Sequence, residues 1–439
     1  MKNPLRIIMV VLGGALAAPP VLFAGFSRDR PEGFPWEDAV IITGRQMPSM
    51  EGAELSSLVL AAVRDGELRA IPFQVDEVRD GEHVFDWVSP LGREKGLADH
   101  DLDHGRLDAD DELVFMAWDL GPRLRSQAEL SAKSAVELAI TDPISGKTGY
   151  AYLVPVSYLP PSNTDYVQLK IVAPRYYINT ERYQYSSPYQ RGFFDNLQLK
   201  TAGGGWTPNL VLRNRTPGHA KLRLVGFGAD FDFYDLIRGE YIAYKDGPVR
   251  LLWRCAGGAD FGVLKVKAKG STEQVFYANR MDIPVTMDLP FSFDAILQSF
   301  EIRGTMILDP KALPLTYFDV AFPQGVRIDG KPDSGSGPLI GNKPRDWCAI
   351  SAPGATFYNL VLFSPAWTPK LKRVSYLDDR PERSEAGTEF GDLVHLLSKG
   401  RQEYMVRFYA LPAEFRWGEE KKIPEIAGRR LQAAAKVLP

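Results

Sequence analysis

The stretch LVLAAVRDGELRAIPFQVDEVRDGEHVFDWV, residues 58–88, decides the fold. Strand-like runs flank Asp65-Gly66, and a second pair, Asp80-Gly81, separates the runs that follow. An Asp-Gly pair between two such runs is typical of a two-residue hairpin turn, because both turn positions need a positive φ. The stretch therefore predicts three strands joined by two tight turns, with Gln74 and Asp76 on one face because strand side chains alternate.

The rest of the chain continues in strands and turns. Strand patterns recur at Ala39–Thr43, at Glu112–Trp118 and in a hairpin around Pro143–Gly146, and 39 Gly and 33 Pro among 439 residues indicate many turns. The expected fold is all-β, an antiparallel β-sandwich with an N-terminal β-meander unit. Only the tail, Pro424–Leu438, has a helical pattern, so a short C-terminal helix is expected.

The domain division follows from length and from one break in the pattern. A chain of 439 residues exceeds one ordinary core. The break at Pro160–Asn163 separates an N-terminal β unit, residues 25–160, from a large β-sandwich domain, residues 161–439. Residues 1–24 have the charged, apolar and small-residue zones of a signal peptide, with cleavage after Ala17 or Ala24. The alternative is an N-terminal membrane anchor, which Pro19-Pro20 disfavours because it interrupts an already short apolar run.

These features place the protein outside the cytoplasm. An exported chain with no later membrane-spanning segment is expected to be periplasmic or extracellular. The net charge of −3 provides no general attraction to nucleic acid. Cys255 and Cys348 could form a disulfide in an oxidising compartment, or each could be a buried free thiol, and the sequence leaves this open.

The segment 98–115, ADHDLDHGRLDADDELVF, concentrates seven carboxylates before an apolar strand. Carboxylates this close repel one another unless a cation, basic groups or water screens them. Alternate acidic residues favour a calcium site with Asp101, Asp103, Asp108 and Glu112 as ligands, although position six of that register is Arg106 and not the Gly of an EF-hand. A solvated acidic turn is the alternative. Zinc at the two nearby histidines is disfavoured because they lie in loop sequence.

A second candidate site is the aromatic and basic segment Arg175–Phe194, which shows no clear period and runs on to three glycines and Trp206. Aromatic rings can stack on sugar faces, and arginines can neutralise acidic sugars. The predicted ligand-binding residues are Tyr183, Tyr185, Tyr189, Arg182, Arg191 and Trp206. The alternative is that the rings pack between sheets.

A partial resemblance links three short motifs. They are Ile71-Pro72-Phe73-Gln74-Val75-Asp76, then Asp111-Glu112-Leu113-Val114-Phe115, and Gly247-Pro248-Val249-Arg250. Together they resemble secreted β-rich proteins of the rhamnose–glucuronate polysaccharide lyase type. The resemblance covers about residues 71–118 and 247–250, and it implies a β-sandwich. Its motifs match no catalytic set, so no catalytic residue is assigned.

Two functions from different classes remain. The first is an exported carbohydrate-recognising protein, with polysaccharide lyase or hydrolase activity as its catalytic form. The second is a non-catalytic structural or assembly component of the cell envelope, whose sheet edges contact envelope proteins. A concave cleft lined by acids, bases and aromatic rings would favour the first, and a flat apolar patch would favour the second.

Overall fold

The computed structural model describes residues 38–100, 105–125, 130, 135–188, 194–223, 228–232, 235, 237–259, 270–289, 292, 294, 297–332, 337–363, 372–396, 398–416 and 431–438. The predicted signal peptide, residues 1–24, lies outside this part of the chain.

The chain divides into two compact units. The first unit comprises the described residues of 38–168 together with Ala243–Leu251 and 431–438, and the second comprises those of 169–242 and 252–416. The division near residue 168 lies close to the boundary expected at 160. Two later segments belong to the first unit because they pair or bond with it, which the linear sequence does not reveal.

The first unit begins with short strands and one helix. The elements are β1 (Ala39–Thr43), β2 (Leu58–Arg64), β3 (Glu67–Ala70), β4 (Gln74–Asp76), β5 (Val78–Arg79), β6 (Glu82–His83), β7 (Trp87–Val88), α1 (Pro90–Glu94), β8 (Glu112–Met116), β9 (Val136–Thr141) and β10 (Thr148–Pro155). Single 3₁₀ turns lie at Gly44–Gln46, Pro48–Met50, Leu55–Ser57, Ala117–Asp119 and Pro310–Ala312.

Longer strands follow. They are β11 (Val167–Val172), β12 (Arg175–Thr180), β13 (Tyr183–Pro188), β14 (Asn196–Leu199), β15 (Val211–Arg215), β16 (Pro217–Leu222), β17 (Gly228–Asp232), β18 (Ile237–Asp246), β19 (Arg250–Ala259), β20 (Gly270–Tyr277), β21 (Arg280–Leu289), β22 (Leu297–Leu308), β23 (Leu315–Phe318), β24 (Val326–Ile328), β25 (Leu339–Ile340), β26 (Trp347–Ala352), β27 (Ala355–Phe363), β28 (Arg373–Arg380), β29 (Arg383–Phe390), β30 (Gly400–Leu411) and β31 (Gln432–Val437). The all-β prediction is confirmed.

Both predicted Asp-Gly turns form. Asp65 and Gly66 have φ values of 53° and 86°, and Asp80 and Gly81 have 55° and 79°, as a turn with two left-handed positions requires. The strands that these turns join are divided among sheets, however. β2 pairs with β3, whereas β4 pairs with β8, and β5 pairs with β6. Pro72 has no N–H to donate, so the ladder of β3 stops before β4 begins.

The first unit is a sandwich of two antiparallel sheets. Sheet A has the strand order β1-β8-β4, and sheet B has the order β3-β2-β10-β9-β31. The core between them takes alternate residues of both sheets, among them Ile42, Phe115, Leu60 and Leu138. The opposite face of sheet B is buried as well, around Val59 and Tyr152. Burial on both faces explains why β2 is almost continuously apolar.

The second unit contains three antiparallel sheets. Sheet C has the order β11-β12-β13-β14, and sheet D has the order β17-β16-β22-β29-β28-β25 with β15 beside β22. Sheet E has the order β24-β23-β26-β27-β30-β21-β20-β19-β18, of which residues 243–246 of β18 and 250–251 of β19 belong to the first unit. Aromatic rings join sheets C and E, since Tyr176 packs on Trp253 and Tyr185 on Phe276. Tyr317 of sheet E bonds to Asp319, which also accepts from Ser375 of sheet D.

The C-terminal helix prediction is wrong for residues 432–437, which form strand β31. β31 pairs with β9 along its whole length, from Gln432 opposite Thr141 to Val437 opposite Val136. Ala433 and Ala435 pack against the core of the first unit, a period of two. Alanine suits a helix or a strand, and the open edge of β9 decides between them. The remainder of the predicted helix, residues 424–430, lies outside the described residues.

Two further observations bear on the sequence-based expectations. Helices in the described part of the chain are too short or too polar to cross a bilayer. Cys255 and Cys348 are both buried free thiols, and burial raises the pKa of each above the ordinary value.

Candidate functional site

Of the four predicted calcium ligands, Asp108 and Glu112 lie in the part of the chain that the structure describes. Asp101 and Asp103 lie outside the described residues. Asp108 caps its own turn: its Oδ1 accepts from the backbone N–H groups of Asp110 and Asp111, at 3.0 and 3.3 Å. Asp111 turns inward and accepts from the N–H groups of Val78 and Asp108, at 3.1 and 2.8 Å. Burial raises the pKa of Asp111 despite these bonds.

Glu112, the other described member of the set, is bound to cationic side chains. Its Oε2 accepts from Arg250 and lies 3.4 Å from His83 Nε2. Burial alone would raise the pKa of Glu112, but the bond from His83 and the charge of Arg250 lower it to about 2. Protein donors therefore already occupy Asp108 and Glu112. Among the described residues, no three acidic, histidine or cysteine side chains are grouped so that they could hold a metal ion.

The three motifs of the resemblance meet at this point in the first unit. Gln74 Oε1 accepts from the N–H groups of Val249 and Arg250, and its Nε2 donates to Asp76 at 2.8 Å. Arg250 Nε donates to Asp76 at 2.7 Å, and Asp76 is fully buried. Gly247 must lack a side chain, because a Cβ there would lie 2.4 Å from Gln74 Oε1. We call Gln74, Asp76, Glu112 and Arg250 the polar latch, since they tie Ala243–Leu251 to β4 and β8.

The polar latch is a structural element and not an open site. Arg250 and Asp76 are almost fully enclosed, and Lys245 Nζ lies 3.5 Å from Asp76 as a second counter-ion. A buried carboxylate between two cations balances its charge within the protein. The motifs therefore support the fold of the first unit.

The aromatic segment does not have the exposure expected of a ligand-binding surface. It forms the hairpin β12–β13, in which Tyr183 and Tyr185 are buried and the Tyr183 hydroxyl donates to the Arg280 carbonyl at 3.2 Å. Burial raises the pKa of both phenols well above the ordinary value. A ring enclosed between sheets cannot stack on a sugar, so these two tyrosines are core residues.

The other predicted ligand-binding residues lie in different environments. Arg182 is buried beside the same hairpin. Tyr189 and Arg191 lie outside the described residues. Trp206, 38% exposed after the glycine turn, keeps an accessible ring. Of the described members, Trp206 is exposed whereas Tyr183, Tyr185 and Arg182 are buried, so these four do not form one exposed site.

A concave site does exist on sheet D of the second unit, where a pocket of about 520 Å³ opens. This volume is within the range of small-ligand sites. Its polar lining combines carboxylates, guanidinium groups and an imidazole: Arg215, His219, Asp230, Asp232, Glu301, Arg303 and Glu389.

The register of sheet D puts the polar members on one face. His219 lies opposite Asp230 on β17 and opposite Glu301 on β22. Arg303, two residues beyond Glu301, lies opposite Glu389 on β29. Residues directly opposite one another, and residues two apart on a strand, share a face of a sheet. Four neighbouring strands thus present one charged surface, which we call the sheet D pocket.

His219 and Asp230 form a side-chain pair at the open end of this pocket. His219 Nδ1 lies 2.9 Å from Asp230 Oδ1, and the side chains are 45% and 92% exposed. The ring packs over Gly228, where an added Cβ would lie 2.5 Å from His219 Nε2. A proton on Nδ1, shared with Asp230, leaves Nε2 as an acceptor, which is the arrangement that a general base uses.

Arg215 forms the deeper wall. Its Nε donates to Asp232 at 2.7 Å, and its Nη1 lies 3.6 Å from Glu385. Arg303 lies over the ring of Tyr376, with 4.5 Å between the guanidinium carbon and the ring centre. These contacts position both guanidinium groups before any ligand enters.

Sequence reasoning did not unite His219, Asp230 and Asp232 with Glu301, Arg303 and Glu389. The alternation of polar residues along β16, β17 and β22 indicates a solvated face. The strand pairing decides which polar residues lie side by side, and it joins positions as far apart as His219 and Glu389, about 170 residues along the chain.

Comparison with known proteins identifies no family. No family model matches the chain, and no curated protein matches it. Among solved structures, an α-mannosidase from Enterococcus faecalis V583 is similar at 9% identity and a TM-score of 0.44, over 92% of this chain. The chain spans only 45% of that mannosidase. The Slr1438 protein from Synechocystis sp. PCC 6803 is similar at 10% identity and a TM-score of 0.34, over 57% of this chain and 97% of its own. Similarity at this level assigns neither a family nor an activity.

Proposed function

We propose that this protein is an exported carbohydrate-recognising protein whose binding site is the sheet D pocket. The observation that carries the proposal is the composition of that pocket. Its carboxylates accept hydrogen bonds from sugar hydroxyls, and its guanidinium groups donate to ring and hydroxyl oxygens. Export rests on the signal-like residues 1–24.

The site is rigid in the way that recognition requires. Every polar member lies on a strand whose neighbours fix it, and Arg215 and Arg303 are held by Asp232 and Tyr376. Preformed donors and acceptors lose little conformational entropy when a ligand binds. In a catalytic form of the proposal, His219 transfers the proton in elimination or hydrolysis, and Asp230 orients its ring.

The test is a binding screen of residues 25–439 against soluble polysaccharides and oligosaccharides by titration calorimetry, with product analysis for unsaturated and reducing ends. A glycan that binds wild type is then titrated into Glu301→Gln and His219→Ala. We expect each variant to weaken binding by about tenfold, the loss of one good charged hydrogen bond. Glu67→Gln, at an exposed position of β3, is the control. If no glycan binds, or if the pocket variants bind as wild type does, the proposal fails.

The alternative, an envelope assembly component, is supported by a different observation. β11 is the end strand of sheet C in the described residues, and its Ile171 and Val172 are 41% and 49% exposed. An edge strand with exposed apolar residues can pair with a strand of a partner. Replacing both residues with lysine should abolish co-purification of such a partner while leaving glycan binding intact. Unchanged co-purification would reject this role for β11.

A further inference from the structure

The charges of the sheet D pocket are unequal. Its lining contains the carboxylates Asp230, Asp232, Glu301 and Glu389, against the guanidinium groups of Arg215 and Arg303. The carboxylates outnumber the two guanidinium groups, and they still outnumber the cations when His219 is protonated. The field inside the pocket is therefore negative.

The two cations are also the members that the protein has already engaged. Arg215 bonds to Asp232 and approaches Glu385, and Asp232 accepts a further N–H from Thr216 at 3.2 Å. Arg303 is held over the Tyr376 ring. The Arg215 donors that bond to Asp232 have little capacity to neutralise an incoming sugar carboxylate, whereas stacking leaves the Arg303 N–H groups for sugar hydroxyls.

The free acceptors, in contrast, face the ligand space. Within the part of the chain that the structure describes, the Glu301 and Glu389 carboxylates form no hydrogen bond or ion pair, and Asp230 pairs only with the exposed His219. Glu301 and Glu389 lie on the adjacent strands β22 and β29, and both belong to the charged face. They provide two unneutralised carboxylates on a rigid surface.

We propose that the sheet D pocket selects glycans bearing protonated amino groups, such as glucosamine oligomers, over uronates. This inference rests on the proposed carbohydrate recognition and adds the substrate class. An ammonium group placed between Glu301 and Glu389 forms charge-assisted hydrogen bonds to both, while the hydroxyls of the same sugar use Asp230, His219 and Arg303. A uronate at the same position is repelled by both carboxylates. The resemblance to uronate lyases therefore does not extend to this pocket.

The experiment compares three oligosaccharides of equal length: fully deacetylated chitin, fully acetylated chitin and oligogalacturonate. Titration calorimetry is done at a mildly acidic pH, where the amines are protonated, in low and high salt. We expect the deacetylated oligomer to bind about tenfold more tightly than the acetylated one, since each solvent-exposed ion pair adds modest affinity and two act together. The preference should shrink in high salt, because exposed charges are screened.

Two variants locate the effect. Glu301→Gln and Glu389→Gln keep the shape of the side chain and remove its charge. Each should weaken binding of the deacetylated oligomer more than binding of the acetylated one, so that the preference falls several-fold. Glu67→Gln is the matched control, and thermal melts check folding. Equal affinity for the amino and acetylated oligomers, or tighter binding of oligogalacturonate, overturns this inference but leaves glycan recognition standing. Absence of binding to every oligosaccharide, those of the screen included, overturns both.

Discussion

The polar latch of the first unit makes a quantitative prediction about acid stability, tested by Glu112→Gln. Glu112 has an ordinary pKa of 4.5, and the bonds from His83 and Arg250, acting against burial, lower it to about 2. At 1.36 kcal/mol for each pKa unit, this difference corresponds to roughly 3 kcal/mol of stability. A carboxyl group whose pKa is lowered by folding contributes fully above the unfolded pKa. The contribution is lost as the pH falls from about 5 towards 2.

Glutamine keeps the shape of the side chain but cannot ionise. We therefore expect Glu112→Gln to destabilise the first unit by roughly 3 kcal/mol at pH 7 and by almost nothing near pH 2. The pH dependence is the decisive part, because loss of packing alone would cost the same at both values.

The assay is hydrogen–deuterium exchange, read on peptides that cover β4 and β8, in wild type and variant at several pH values. Exchange resolves the first unit from the second, which one global unfolding curve would not do. Intrinsic exchange rates are corrected for pH, and Glu67→Gln is carried through as the control. A difference between wild type and Glu112→Gln that stays constant from pH 7 to pH 3 would refute the electrostatic account of the polar latch.

Three further predictions concern other parts of the chain. Gly228→Ala should displace the His219 ring, because the new Cβ would lie 2.5 Å from Nε2, and so weaken glycan binding by about tenfold in calorimetry without lowering the melting temperature. Deletion of residues 431–438 removes β31 and the buried Leu438, so it should destabilise the first unit by about 2–5 kcal/mol, the scale for loss of a buried leucine. Hydrogen–deuterium exchange in β9 should become faster. Unchanged exchange there would contradict the observed pairing of β31 with β9. If the acidic loop binds calcium, the calcium-induced rise in melting temperature should disappear in Asp103→Ala. It should persist in Glu112→Gln, because Arg250 already binds the Glu112 carboxylate in wild type. A wild-type melting temperature that changes neither with chelator nor with added calcium would reject the calcium site.

The local features of the fold could be predicted because they depend on neighbouring residues. The Asp-Gly turns require left-handed backbone at Asp65 and Asp80, which these residue pairs favour, and both form. β1 and β9 lie at the predicted residues, since alternation and β-branched content are properties of a few consecutive positions.

The tail shows where local reasoning stops. Three of the six residues 432–437 are alanine, which favours a helix when neighbouring residues alone decide, and the edge of β9 about 290 residues earlier makes them a strand. The aromatic hairpin shows the same limit. Tyr183 and Tyr185 could be exposed or buried as far as sequence shows, and only the packing of sheet C on sheet E encloses them.

The sequence by itself determined the tight turns and the residue types of the three motifs. The tertiary structure decided which charges meet. It brings Gln74 and Asp76 to Arg250 across more than 170 residues, so that the motifs form a buried support, and it aligns His219 with Asp230 and Glu301 on one face of sheet D. Strand order and register determine these side-chain contacts. Both depend on long-range strand pairing and core packing, and neighbouring residues along the chain do not specify them.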